Sequence, residues 1–146
     1  MIIQHTIEIA APPKRVWDVV IDVARWPEWT SSVSRVELLD GTAFTVGSRV
    51  RIRQPRLAAA VWTVTKIEPE RYFEWRSVVP GLTSIGGHRV EPLGSERSRV
   101  VLSVEWRGVL APLINLIYGR LSRRYVATEA EGLKRRSEAT PLSAWR

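Results

Sequence analysis

The chain has 146 residues, 45% of them hydrophobic and 25% charged, which suits one folded domain and argues against disorder except at the ends. It has no cysteine and two histidines, so disulfides, thiolate nucleophiles and thiolate metal sites are excluded, and no HExxH or other metal-ligand spacing occurs. The net charge of +7 raises encounter rates with anions, nucleic acid or acidic membrane surfaces.

The chain opens on an alternating strand, with Ile3, His5, Ile7 and Ile9 on one face and Gln4, Thr6 and Glu8 on the other. Pro12 and Pro13 end it and are tolerated at a helix start, where the first amides have no partner anyway. Val16, Trp17, Val20, Ile21 and Ala24 then recur at helical spacing, and Trp17 reads as core. Pro27 closes that helix or opens a short second one through Glu28 and Trp29.

Six strand-like runs follow, at 33–39, 48–54, 60–68, 72–79, 83–93 and 98–107, separated by turn residues such as Asp40-Gly41, Glu68-Pro69-Glu70 and Pro80-Gly81. Strands at this spacing without intervening helices predict an antiparallel meander. Alternation points Val50, Ile52, Trp62, Val64, Phe73, Trp75, Val100, Leu102, Val104 and Trp106 inward, and Arg49, Arg51, Arg53, Glu74 and Glu105 outward. Gly86 and Gly87 predict a bulge or sharp curvature.

Gly108 breaks the last strand, and residues 110–136 turn helical. At 1.5 Å per residue this helix runs roughly 40 Å, enough to cover the sheet. Leu110, Ile114, Ile117, Leu121, Tyr125 and Thr128 form its expected inward stripe, with Arg120, Arg123, Arg124 and Glu131 behind. The predicted architecture is α+β: a curved antiparallel sheet of about seven strands wrapped around a long C-terminal helix, with one or two short helices after the first strand. Residues 1–138 form the domain, and 139–146 are expected to fray. The N-terminus lacks a secretory pattern, and the longest apolar stretch, 109–119, is too short for a bilayer span, so a cytoplasmic protein is expected.

In sequence order, Ile9-Ala10-Ala11-Pro12, Val16-Trp17-Asp18-Val19, Trp26-Pro27-x-Trp29, Val46-Gly47-Ser48, Trp62-Thr63-Val64, Glu68-Pro69, Phe73-x-Trp75, Gly87-His88-Arg89 and Glu91-Pro92-Leu93 resemble the polyketide cyclase/dehydrase-like branch of the START-like (SRPBCC) superfamily. The resemblance implies a helix-grip fold that holds lipids, sterols, polyketides, quinones or plant hormones between sheet and long helix. Some members are aromatase/cyclases. The superfamily has no invariant catalytic set, so the resemblance assigns no catalytic residue.

The chemistry legible in the residues is sparse. GxSxG is absent, and the glycines at 86 and 87 are not followed by GK[ST]. A cyclase or dehydratase needs a dry pocket and a proton donor and acceptor. His88 is the first candidate for that role, with a histidine satisfied by backbone as the alternative, and Tyr125 is the second. No carboxylate pair falls in the pocket by pattern. The expected cavity wall is Trp29, Trp62, Trp75, His88, Leu102, Trp106, Ile114, Ile117, Tyr118, Leu121 and Tyr125. The tryptophans either fill the interior or line a pocket for a flat or greasy ligand.

The leading reading is a binder of a small hydrophobic molecule (lipid, polyketide, quinone or similar), a monomer or weak dimer, with no metal and no cofactor. The alternatives are a cyclase/dehydrase-type enzyme, and a module docking on nucleic acid or acidic membrane through Arg49, Arg51 and Arg53. That last partnership is not favoured, because no nucleic-acid motif accompanies the charge.

Overall fold

The computed structural model describes residues 1–139. The expectation of a fraying tail concerns, from Thr140 on, residues outside that range. Seven strands, β1 (Ile2–Ile9), β2 (Arg35–Leu38), β3 (Arg49–Arg53), β4 (Ala60–Glu68), β5 (Tyr72–Val79), β6 (Leu82–Pro92) and β7 (Ser98–Arg107), pair antiparallel in the order β1-β7-β6-β5-β4-β3-β2. Helix α1 (Pro13–Ile21) and a 3-10 helix, Val23–Glu28, follow β1, and helix α2 (Ala111–Glu138) closes the chain. The sheet is curved and α2 lies in its grip, a START/Bet v 1-like architecture. Among the described residues no helix is long and apolar enough to cross a membrane.

Local sequence accounts for the joints. Pro13 stands at the start of α1, where its missing N–H costs nothing. That helix buries Val16, Trp17, Val19 and Val20, and Ser98 donates to the Ala11 carbonyl at 2.8 Å, fixing the chain as it leaves β1. Gly108 has φ +110°, and a Cβ there would lie 2.5 Å from the Gly81 carbonyl oxygen, so the turn from β7 into α2 requires glycine. Leu110 N–H donates to the same carbonyl at 3.0 Å, tying the start of α2 to the β5–β6 turn.

Two sequence expectations change here. The register of β6 with β5 and β7 runs unbroken through Gly86 and Gly87, and the irregularity falls in β4 between Val64 and Lys66. There is thus no bulge at the glycines, and they make room: a Cβ on Gly86 would sit 2.6 Å from the Trp75 indole nitrogen, and one on Gly87 would sit 2.6 Å from the Ser103 hydroxyl. The inward stripe of α2 is also rotated from the predicted one. Ala111, Gly119, Val126, Ala130 and Leu133 are buried, whereas Leu110 and Ile117 are exposed.

Candidate functional site

The interior divides into a filled half and an open half. In the filled half Phe73, fully buried, packs edge-on against Trp17, Phe44 and Trp75. The Trp26 ring leans on Trp29, Trp75 and His88, and its indole N–H donates to the Val20 carbonyl at 3.0 Å. The aromatic residues therefore do both things the sequence left open: Trp17 and Phe73 fill, while Trp62 and Trp106 line.

The open half holds two adjoining chambers beneath α2. The inner one is small, about 70 Å³, and its wall includes Trp26, Trp75, His88, Leu102 and Glu129. The outer one is about 300 Å³, walled by Leu57, Trp62, Trp106, Ile114, Tyr118 and Tyr125 among others. Ile52, Gln54, Trp62, Val104, Val126 and Glu129 belong to both walls, so the two chambers adjoin. Leu57 and Ala58 of the β3–β4 loop and Ile114, Tyr118 and Ser122 of α2 are among the residues around the outer chamber.

Of the sequence-predicted wall, Trp62, Trp75, His88, Leu102, Trp106, Ile114, Tyr118 and Tyr125 line one chamber or the other. Three do not. Trp29 is buried at the end of the 3-10 helix beside Gly132 of α2, in a separate open depression. Ile117 is 58% exposed on the outer side of α2, and Leu121 is absent from both chamber walls. The physical reason is the helix rotation: the aliphatic residues on α2 lie on two faces, and the inward one is marked mainly by small or polar residues.

That rotation brings in a residue the pattern missed. Glu129 enters the cavity with its Oε1 3.8 Å from Nε2 of His88 and with no hydrogen-bond partner for that oxygen among the described residues. His88 stacks on Phe73, with ring centroids 4.0 Å apart and planes within 8°, and its Nδ1 lies 3.3 Å from the Phe73 carbonyl. That carbonyl can only accept, so Nδ1 carries the proton and Nε2 presents a lone pair to Glu129. Burial pushes the Glu129 carboxyl up to about 8. Burial likewise pushes the His88 imidazole down to about 3, against a smaller upward pull from the Phe73 carbonyl. Near neutral pH the cavity thus holds a protonated carboxyl facing a neutral imidazole, and no net charge. The signal for Glu129 was its spacing: it falls three after Val126 and four before Leu133.

The other candidates are occupied. The Tyr125 hydroxyl donates to the Pro55 carbonyl, joining α2 to the β3–β4 loop. Tyr72, outside the cavity, donates to Glu74 at 3.0 Å, and burial together with that bond raises its phenol to about 12. On the outer sheet face Arg49 pairs with Asp40 at 2.8 Å and Arg51 with Glu37 at 3.2 Å, so two of the three alternating arginines are already engaged. Among the described residues no group of three His, Asp or Glu side chains converges as metal ligands.

The family described as "Polyketide cyclase / dehydrase and lipid transport" matches residues 2–138. No curated protein matches. Among solved structures, an aromatase/cyclase, Zhui, from Streptomyces sp. R1128 has a TM-score of 0.71 at 21% identity, covering 95% of this chain and 96% of that one. A START superfamily protein from Mycobacterium smegmatis has a TM-score of 0.71 at 16% identity, covering 92% and 97%. Norcoclaurine synthase from Thalictrum flavum, solved with dopamine and hydroxybenzaldehyde, has a TM-score of 0.74 at 14% identity, covering 97% and 89%. At these identities the likeness is one of fold.

Proposed function

The chain belongs to the polyketide cyclase / dehydrase and lipid transport family, and from that premise we propose that it binds a small apolar molecule carrying one polar group, held in the two chambers beneath α2. The observation that carries the reading is the pair of adjoining chambers with largely aromatic and aliphatic walls, a few serines and Gln54 among them, and the facing pair His88 and Glu129 in the inner one. Apolar walls with a few convergent polar groups are the general form of small-molecule sites. An outer chamber of about 300 Å³ is at the small end of such sites, which favours a one- or two-ring or short-chain molecule over a diacyl lipid. The likeness to a synthase solved with two small aromatic molecules supports the same size class. Titration with quinones, phenols, short fatty acids and polyketide-like aromatics, read by tryptophan fluorescence, tests it. Saturable quenching by members of the panel is expected, and a flat response to all of them overturns the reading.

One observation favours a second reading, an enzyme of the cyclase/dehydratase type. A carboxyl that titrates at about 8 is matched to proton transfer near neutrality, whereas an imidazole at about 3 is a poor base. The acid/base role therefore moves from His88 to Glu129, with His88 as the group that orients it. Glu129→Gln keeps the shape and removes the proton. Loss of turnover on a cyclising or dehydrating substrate, with ligand binding retained, is the expected result; unchanged turnover ends the enzymatic reading.

A further inference from the structure

One end of the molecule carries large aliphatic side chains in water. Val78 and Val79 at the end of β5, and Val109 just before α2, are 70%, 52% and 86% exposed. Leu113, Leu116 and Ile117, on the first two turns of α2, are 49%, 81% and 58% exposed. The start of α2 adjoins the β5–β6 turn, because Leu110 N–H donates to the Gly81 carbonyl at 3.0 Å, and Leu113, Leu116 and Ile117 share one stripe of the helix. Contiguous exposed apolar surface of this kind marks an interaction site.

The same stripe of α2 changes character further along. Leu113, Leu116 and Ile117 are followed at steps of three and four by Arg120, Arg123 and Arg124, all exposed and none paired with a carboxylate among the described residues. Aliphatic residues at the tip and arginines one to two turns behind match the layering of a bilayer surface, with acyl chains below and charged headgroups above. We propose that this end docks on an anionic lipid bilayer, with Val109, Leu113, Leu116 and Ile117 entering the boundary between headgroups and acyl chains and the three arginines contacting the headgroups. The surface differs from the sheet arginines, two of which are engaged by Asp40 and Glu37. The patch adjoins the outer chamber, since Ile114 and Tyr118 of the same two turns line it. A molecule dissolved in the bilayer would then enter the cavity without crossing water.

Vesicle flotation of the full chain tests the docking, with phosphatidylcholine vesicles made with and without phosphatidylglycerol. Binding to the anionic vesicles and little to the neutral ones is expected. Replacing Arg120, Arg123 and Arg124 with alanine should weaken it about fivefold per arginine, roughly 100-fold together. Leu116→Glu with Ile117→Glu should abolish it, and because both side chains are exposed the thermal melt should not move. Val46→Glu, 60% exposed in the loop at the opposite end of β3, should change nothing. Absence of binding to anionic vesicles, full binding by the double glutamate variant, or self-association in ultracentrifugation that those glutamates dissolve would each overturn the proposal. Docking does not depend on what the cavity holds, so its failure would leave the ligand reading untouched.

Discussion

Burial keeps Glu129 protonated to about pH 8 and His88 neutral to about pH 3. From the ordinary values of 4.5 and 6.5, the unfolded chain carries these groups as carboxylate and imidazolium between those two pH values. Folded and unfolded forms then hold one proton each on the pair, so its contribution to stability is flat there. Above pH 6.5 the folded state holds the extra proton and stability falls as pH rises toward about 8; below pH 4.5 the unfolded state does, and stability falls as pH drops toward about 3. Glu129→Gln removes one side of this balance. The difference in unfolding free energy, wild type minus variant, should decline by about 1.4 kcal/mol per pH unit as pH rises between the ordinary and the raised carboxyl values. Urea denaturation at a series of pH values checks it, and a pH-independent difference would mean that Glu129 is not held protonated. Only spacing separates Glu129, in step with Val126 and Leu133, from Glu131 two residues on. Both are glutamates on one helix, and only its rotation sends the first into the cavity and the second into water.

That rotation is a property of the element. The strands were legible because alternation has a period of two and the turns are marked by Gly, Pro and Asp; β4, β5 and β7 begin and end where the pattern placed them. Helix α2 was legible in extent and not in facing. Its outer face carries Leu113, Leu116 and Ile117, while its inner face carries Gly119, Ser122, Glu129 and Gly132, which bear no hydrophobic mark. What fixes the rotation is close approach. A Cβ on Gly132 would lie 2.1 Å from the Trp29 carbonyl oxygen, a backbone atom that cannot swing aside. Gly132→Ala should therefore destabilise the protein by about 2 kcal/mol or more, although alanine is the better helix former by about 1 kcal/mol. At Gly119 the nearest neighbour is the Asn115 side-chain oxygen at 3.3 Å, which can turn away. Gly119→Ala should be neutral or stabilising by up to about 1 kcal/mol. Paired denaturation curves decide the matter, and equal effects would remove close packing as the reason for glycine at position 132.

At the scale of the whole molecule the helix grip yields one dense half and one hollow half. Phe73 and the tryptophans around it make the dense half, and α2 roofs the hollow one from Ile114 to Glu129. Ser122 faces the outer chamber from α2, where a larger side chain has room to fill it. Ser122→Phe should weaken ligand binding at least tenfold while leaving the urea midpoint within about 1 kcal/mol of wild type, because it fills a void instead of crowding a core. The sequence pattern reached the cavity's walls and His88 through strand alternation and missed Glu129, which the helix supplies. A ligand bound by this protein has two apolar surfaces to choose from, the chambers and the exposed tip, and they share α2. Intermolecular nuclear Overhauser contacts between a bound aromatic ligand and the side chains separate them most directly. Contacts to Trp62, Trp106 and Ile114 are predicted; contacts confined to Leu113, Leu116 and Ile117, with the cavity signals unshifted, would contradict the account.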